Sequence, residues 1–350
     1  MKIRCHLLRL LSLVCFVFAI LSCQEENDPE NTIVEINAYE KYQEDFNAGK
    51  LDSSAFIITQ DGGSIYYRYY YGSTVYNNLE YPLYYYSLCK YDLSGKLVWK
   101  YTYGNTAECN DIKKVIQLAN GSILFTASRC KPDLSDYIHA LIKLDKNGEF
   151  LWEKTYEGLD IEQLGSVYPT SDKGFVLVGI THTQGEFDWI LLKTDEEGNL
   201  AWSRTYGDRS LNETPQSIIQ TGDNGYLITV LADNSYDEVE QQNRLYKMDQ
   251  SGNLLASTDL PSGTQYCNDM IKAHDDGYIL AMPFIRFETD ELDLWLFKIS
   301  NSGEILWTKE YALELHIGLE ARIMKLPDSG YFFMDRYVLL TFNNSGDLIG

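Results

Sequence analysis

The sequence predicts an all-β fold, a six-bladed β-propeller with four antiparallel strands in each blade. A polar turn containing a glycine recurs six times, at a spacing of roughly 50 residues. A second glycine turn follows in every copy, and four short runs rich in β-branched and aromatic residues surround the two turns. A fixed period of this length, built from strands and turns, is typical of propeller blades. A solenoid is the alternative, and the incomplete last copy favours a closed ring.

The six copies define one domain over residues 32–350, with repeats that start near residues 53, 104, 158, 208, 262 and 313. In the third copy the apolar runs are LGSVYPT, GFVLVGI, WILLKTD and NLAWSRTY, which predict strands a, b, c and d. The glycines on which the copies align, in the turn between strands a and b, are Gly63, Gly121, Gly174, Gly225, Gly277 and Gly330. Glycine suits such turns because it adopts positive φ without steric cost.

The last copy stops within its strand d, at Gly350. The segment TIVEINAYEKY, from Thr32 to Tyr42, has partial strand character and precedes the first repeat. We expect this N-terminal strand to complete the last blade, because pairing both chain ends in one sheet leaves no unmatched edge.

Strand d carries a Trp-x-x-x-Tyr pattern, and an even spacing along a strand places both rings on one face. We expect these rings to pack between neighbouring blades, rather than to stack on a ligand. They are Trp99, Tyr103, Trp152, Tyr156, Trp202, Tyr206, Trp307 and Tyr311. The fourth copy has Ala256 and Leu260 there, which predicts weaker packing.

A lysine recurs near the end of strand c in five copies: Lys90, Lys143, Lys193, Lys247 and Lys298. The acids of the following c–d turn, such as Asp92 and Asp145, are the expected partners.

The N-terminus predicts export and a lipid anchor. Lys2, Arg4 and Arg9 precede the run LLSLVCFVFAIL, which has the length of a secretory signal and is too short to span a membrane. The residues ILSC that end at Cys23 resemble the lipobox of bacterial lipoproteins. That resemblance implies a signal peptide over residues 1–22 and lipidation of Cys23, which would anchor the protein to a membrane.

Residues 23–31 form an acidic tether, which contains QEENDPEN. This stretch is similar to the export signal of Bacteroides-type surface lipoproteins. The similarity implies the outer membrane as location, with the cell surface favoured over a periplasm-facing anchor.

The net charge of the chain argues against one class of binding partner. A formal net charge of −22 repels phosphate backbones and argues against nucleic-acid binding.

Export permits disulfides between the cysteines of the repeats. Cys109 and Cys130 lie at the ends of strands a and b of the second copy and could face each other, so a bridge is predicted between them. Cys89 and Cys267 are expected to be free and buried.

No catalytic residue, metal site or cofactor is predicted. The histidines of the repeats lack metal-ligand spacing, and nucleophile and phosphate-loop motifs are absent from the sequence. The turn pattern Asp-x-x-Gly-x-x-x-Trp is distantly similar to the tryptophan-docking repeats of quinoproteins but is one residue shorter. Segments such as LIKLDKNGEFLWEKTYEG resemble repeat-propeller lipoproteins of Bacteroides-type bacteria, a family that implies no particular activity.

The tyrosine-rich segment between strands b and c of the first copy is the expected ligand site. It predicts the longest b–c loop, in which Tyr71, Tyr76 and Tyr81 are the candidate contacts. Inter-blade packing would explain these tyrosines equally well. The favoured function is a non-enzymatic binding or scaffolding module for a glycan or an envelope protein. The alternative is a carbohydrate-active or quinoprotein-like enzyme.

Overall fold

A computed structural model of the protein describes most of the repeat region. The described residues are 56–76, 79–103, 110–131, 137–182, 187–208, 211–234, 237–261, 269–286, 291–313, 322–326, 330–334 and 339–349. All regular structure within these ranges is β-strand. The predicted closing strand at residues 32–42, the tether and Cys23 lie outside them.

In the described part of the chain, twenty-three strands form six antiparallel sheets, numbered here in chain order. Sheet 1 contains β1 (Phe56–Ile58), β2 (Ser64–Tyr76), β3 (Leu79–Tyr91) and β4 (Leu97–Tyr103). Sheet 2 contains β5 (Asn110–Gln117), β6 (Ile123–Cys130), β7 (Tyr137–Leu144) and β8 (Phe150–Thr155). Sheet 3 contains β9 (Ile161–Pro169), β10 (Phe175–His182), β11 (Phe187–Thr194) and β12 (Leu200–Tyr206).

The second half repeats this order. Sheet 4 contains β13 (Asn212–Gln220), β14 (Tyr226–Asn234), β15 (Asp237–Met248) and β16 (Leu254–Asp259). Sheet 5 contains β17 (Asp269–Lys272), β18 (Tyr278–Arg286), β19 (Glu291–Ile299) and β20 (Ile305–Leu313). Sheet 6 contains β21 (Arg322–Leu326), β22 (Gly330–Met334) and β23 (Leu339–Asn343). A single bridge between Phe342 and Leu348 stands where the fourth strand of sheet 6 would begin.

The six successive sheets are the blades of a β-propeller, which confirms the predicted fold class. The described residues group into two compact units. One contains the residues up to Gln220 together with Val230–Asn234, and the other contains Thr221–Thr229 and the residues from Asp237 onward.

Apolar side chains fill the spaces between neighbouring sheets within each unit. Ile65 and Leu88 of sheet 1 pack with Phe125 and Ile142 of sheet 2. A second cluster joins sheets 2 and 3, and a third joins sheets 5 and 6. The middle strands β10 and β11 are buried on both faces, so they read as nearly continuous apolar runs.

The c–d turns follow one pattern. In the turn of sheet 1, Asp92 accepts hydrogen bonds from the backbone N–H groups of Ser94 and Lys96, and Gly95 has φ of 75°. The equivalent glycines of the other sheets also have positive φ, which glycine adopts without strain.

The alignment of the a–b turns is wrong by one residue in sheet 2. Leu118 donates its N–H to Ser122 O, as Thr170 does to Gly174 O, so Ser122 and not Gly121 is the equivalent of Gly174. Gly121, with φ of 81°, corresponds instead to Lys173, which has φ of 68°.

The predicted partners of the strand-c lysines are also wrong. Four of these lysines contact the acid in the a–b turn of their own sheet. They do not contact the acids of the c–d turn. Lys193 contacts Asp172 at 2.8 Å, and Lys247 contacts Asp223 at 2.8 Å. Lys90 and Lys298 pair in the same way with Asp61 and Asp275.

Sheet 2 has Asn120 in place of this acid. Its lysine, Lys143, lies over the rings of Trp152 and Phe175 instead, at 5.7 and 5.6 Å from their centroids. The cation is therefore stabilised by aromatic faces rather than by a carboxylate. Glycine is required at position 174 because a Cβ there would clash with the backbone carbonyl oxygen of Thr194.

Candidate functional site

The hairpins that join strands b and c end at one edge of each sheet, here called the b–c rim. In sheet 1 the predicted loop is instead an extension of the sheet, because β2 and β3 pair from Ser64 with Tyr91 to Tyr76 with Leu79 without interruption. Tyr71 pairs with Tyr84, and Tyr81 pairs with Thr74. Since faces alternate along a strand, position 71 lies on one face of the hairpin and positions 76 and 81 on the other. The register therefore places position 71 apart from positions 76 and 81, and a ligand site at these three tyrosines remains a prediction.

Position 71 has counterparts in the next two sheets. The strand-c lysine of each sheet pairs with a residue of strand b, and these pairs align the three sheets in one register. The pairs are Lys90 with Ile65, Lys143 with Leu124, and Lys193 with Val176. At the same number of residues from this lysine pair, each hairpin has one cross-strand pair at the b–c rim. These pairs are Tyr71 with Tyr84, Cys130 with Tyr137, and His182 with Phe187.

The pair in sheet 3 consists of two exposed rings in a tilted arrangement. The centroids of His182 and Phe187 are 4.5 Å apart, with 33° between the ring planes. Phe187 is 41% exposed, although it is a large apolar side chain. Nε2 of His182 lies 3.9 Å from a carboxylate oxygen of Glu162, a half-exposed residue of β9. The rim of sheet 3 therefore presents aromatic faces next to a carboxylate.

A second ring pair lies next to the first on the same face of sheet 3. Trp189 follows Phe187 on the same face of β11 and pairs with Tyr206, and their centroids are 4.3 Å apart. Trp189 is buried, so its position is set by packing. We call His182, Phe187, Trp189 and Tyr206 the ring platform.

The first strand of sheet 4 borders the ring platform. The side-chain oxygen of Asn212, at the start of β13, accepts a hydrogen bond from the backbone N–H of Phe187 at 3.3 Å. Glu213 is buried and accepts a hydrogen bond from the backbone N–H of Asp208 at 2.9 Å. These contacts fix the Phe187 end of β11 against β13.

Sheet 2 repeats the exposed part of this arrangement. Tyr137, at the position of Phe187, is 53% exposed and stacks on His139 with 6.3 Å between centroids. His139 takes the position of Trp189, and its Nδ1 lies 2.7 Å from the hydroxyl of buried Ser128. Adjacent sheets thus carry exposed rings at one register position of the b–c rim.

Six of the Trp and Tyr residues of strand d lie between sheets: Trp99, Tyr103, Trp152, Tyr156, Trp307 and Tyr311. Trp99, Trp152 and Trp307 contact the c–d turn glycines of the next sheet, Gly148, Gly198 and Gly346. Tyr103 and Tyr156 are buried, and Trp202, Tyr206 and Tyr311 are half-buried. Sheet 4 has Ala256 in place of the tryptophan. The c–d turn glycine of the next sheet, Gly303, lies against Lys247 and Leu227 instead.

Cys89 is a buried thiol of β3. Asn110 pairs with Arg129, so Cys130 is the next residue of β6 after that pair. Its predicted partner Cys109 lies outside the described residues, as does Cys267.

The sequence analysis did not predict the ring platform. His182 and Phe187 flank a short loop in THTQGEFDW, a segment with no unusual composition. The signal that could have found it is Phe187 at the first position of strand c, where a solvent-facing rim favours polar residues.

Within the described ranges, no three His, Cys, Asp or Glu side chains come together in a group that could hold a metal ion. No helix in this part of the chain is long and apolar enough to cross a membrane.

The sequence matches no known protein family and no curated protein. Solved structures are similar in fold. A protein of unknown function from Dyadobacter fermentans is 11% identical, with a TM-score of 0.59 over 84% of this chain and 91% of that chain. A polysaccharide lyase of family PL25, an ulvan lyase solved with -[GlcA(1-4)Rha3S]-, is 11% identical, with a TM-score of 0.53 over 85% of this chain and 82% of that chain. At this level of identity, the similarity shows the propeller fold alone.

Proposed function

We propose that this protein is a lipid-anchored envelope β-propeller that binds an uncharged glycan at the b–c rim of sheets 2 and 3. The observation that carries the proposal is the exposed ring pair of His182 and Phe187 next to the pair of buried Trp189 and half-buried Tyr206. Aromatic faces that are fixed by packing suit the apolar face of a sugar ring. Glu162 beside His182 is an acceptor for sugar hydroxyl groups.

The charge of the chain selects among glycans. A net charge of −22 repels polyanions such as sulfated or uronic-acid polysaccharides. An uncharged glycan meets no such repulsion, and its hydroxyl groups can donate to the carboxylate of Glu162. We therefore assign neutral polysaccharides as the ligand class.

The proposal for the location of the protein rests on the sequence. The signal-like segment that ends at Cys23 and the acidic tether after it support a lipid anchor in the outer membrane, displayed at the cell surface. A module in this position would hold a glycan close to the envelope.

A glycan array tests the proposal with three proteins: residues 24–350 of the natural sequence, Phe187→Ala and Phe150→Ala. Phe150 is a matched control, since it is 52% exposed but follows the c–d turn, at the opposite end of its sheet. We expect the natural protein and Phe150→Ala to bind neutral glycans, and Phe187→Ala to lose that binding. Binding confined to anionic glycans, or equal binding by both variants, would contradict the proposal.

A further inference from the structure

The outer strand of sheet 4, β16, differs from the outer strands of the other four-stranded sheets. Each outer strand is the last of its sheet, so one row of its backbone groups has no neighbouring strand in that sheet. Edge strands commonly carry Lys or Arg, which prevents pairing with other chains. The strands β4, β8, β12 and β20 follow this rule, with Lys100, Lys154, Arg204 and Lys309. β16 reads LLASTD and contains no basic residue.

β16 is also the most exposed of these strands. Leu254 and Leu255 are 51% and 60% exposed, and Ala256 is exposed where the other sheets have a half-buried tryptophan. Leu306 of the next sheet is exposed as well, at the position equivalent to Leu255. Among the described residues, the edge therefore combines backbone groups that lack a neighbouring strand with exposed apolar side chains.

Acidic residues lie at both ends of this uncharged edge. Asp249 begins the c–d turn before β16, and Asp259 ends the strand. Asp259 contacts Arg244 at 3.3 Å, yet its side chain remains 73% exposed. An added strand with basic residues at both ends would match this charge pattern, and the net charge of −22 favours the same sign of partner.

We propose that β16 is a docking edge for an extended segment of a partner protein, which adds to sheet 4 as a further strand. The segment has uncharged β-forming residues at its centre and a lysine or arginine at each end. Main-chain hydrogen bonds supply the affinity, and the contacts with Leu254, Leu255 and Asp259 supply the selectivity.

The pairing of β16 shows which backbone groups face the partner. The N–H of Leu260 donates to Asn243 O on β15. Because bonding direction alternates along an antiparallel strand, the N–H groups of Ser257 and Asp259 point away from β15. Proline is tolerated on a strand edge where its nitrogen faces outward. Ser257→Pro therefore removes an outward donor and leaves the pairing with β15 intact.

Fluorescence anisotropy with a labelled probe peptide, acetyl-Lys-Thr-Val-Thr-Val-Thr-Lys-amide, tests the proposal. The matched control is Ser203→Pro, at the same position of β12, which carries Arg204. We expect equal binding by the natural protein and Ser203→Pro, and binding to Ser257→Pro that is weaker by at least about tenfold. A probe with glutamates in place of the lysines should bind the natural protein at least about tenfold more weakly.

A further probe keeps the test independent of how well the proline variant folds. Methylation of alternate backbone nitrogens of the lysine-flanked peptide blocks strand pairing, and we expect it to abolish binding to the natural protein. The proposal is overturned if the unmodified probe does not bind, if the methylated probe binds equally well, or if Ser257→Pro leaves the affinity unchanged.

Discussion

The indole of Trp99 in sheet 1 covers Gly148 in the c–d turn of sheet 2. Nε1 of Trp99 donates a hydrogen bond to Lys146 O at 3.2 Å, and a Cβ added to Gly148 would lie 2.6 Å from Cδ2 of the ring. Trp152 with Gly198 and Trp307 with Gly346 repeat this contact. The conserved geometry explains why a tryptophan and a turn glycine recur together in the repeats.

This contact predicts a large cost for Gly148→Ala. The added methyl group would clash with the indole, and alanine at φ of 82° is strained by itself. We expect the free energy of unfolding to fall by about 3 kcal/mol, of which the backbone accounts for about 1 kcal/mol. Chemical denaturation measures this change.

Gly158→Ala is the control for the backbone contribution. Gly158 also has φ of 82°, but a Cβ there would meet no atom within 4 Å. Gly158→Ala should therefore cost about 1 kcal/mol. Equal losses for the two variants would show that the indole does not constrain Gly148.

The ion pair of Lys247 and Asp223 predicts a loss of stability in acid. Burial acts to raise the pKa of Asp223, but hydrogen bonds from Lys247, Thr221 and the Gly225 N–H outweigh it and lower the pKa to about 2. A lowered pKa stabilises the folded state above the pKa of the unfolded chain, and this contribution disappears as the pH falls through the folded value. We expect the unfolding free energy to decline between about pH 4 and about pH 2.

Asp223→Asn isolates this contribution. The variant should be less stable than the natural protein at neutral pH, because the buried Lys247 ammonium loses its carboxylate partner. Its stability should also change less between about pH 4 and about pH 2. Asp276→Asn, at an exposed position, is the control for the loss of one negative charge. Unfolding curves that shift equally with pH in both variants would contradict this account.

The sequence-based predictions were accurate where local rules decide the outcome. Turn glycines and apolar runs define the strands, since each requires only a few neighbouring residues. The partners of the lysines were wrong because acids occur in both turns of each repeat. The choice of Asp172 over the acid at Asp195 follows from the pairing of β10 with β11, which local sequence does not specify.

The binding surface shows the same limit. A run of tyrosines is compatible with both a loop and a strand, so the continuous pairing of β2 with β3 was not anticipated. The ring platform depends on cross-strand pairs such as His182 with Phe187, and these are visible only when the register is known.

The lipid anchor gives a prediction about location. Cys23→Ala in the full-length chain should move the protein from the membrane fraction to the soluble fraction, because the thiol is the expected lipidation site. Cys15→Ala, in the apolar part of the signal segment, should leave the protein in the membrane fraction. Fractionation followed by immunoblotting measures both, and a membrane-bound Cys23→Ala protein would contradict the prediction.

The disulfide between Cys109 and Cys130 remains a prediction. Cys130 follows the pair of Asn110 with Arg129 on β6, and its predicted partner Cys109 lies outside the described residues. A peptide map of the exported protein under non-reducing conditions should contain the linked pair. Recovery of Cys109 as a free thiol would rule the bridge out.

The most direct test of the proposed function is the affinity of the best-bound neutral glycan, measured by isothermal titration calorimetry. Natural protein and Phe150→Ala should bind it equally. Phe187→Ala should bind at least about tenfold more weakly, because it loses an aromatic face of the ring platform. Unchanged affinity in Phe187→Ala would show that the b–c rim of sheet 3 is not the glycan site.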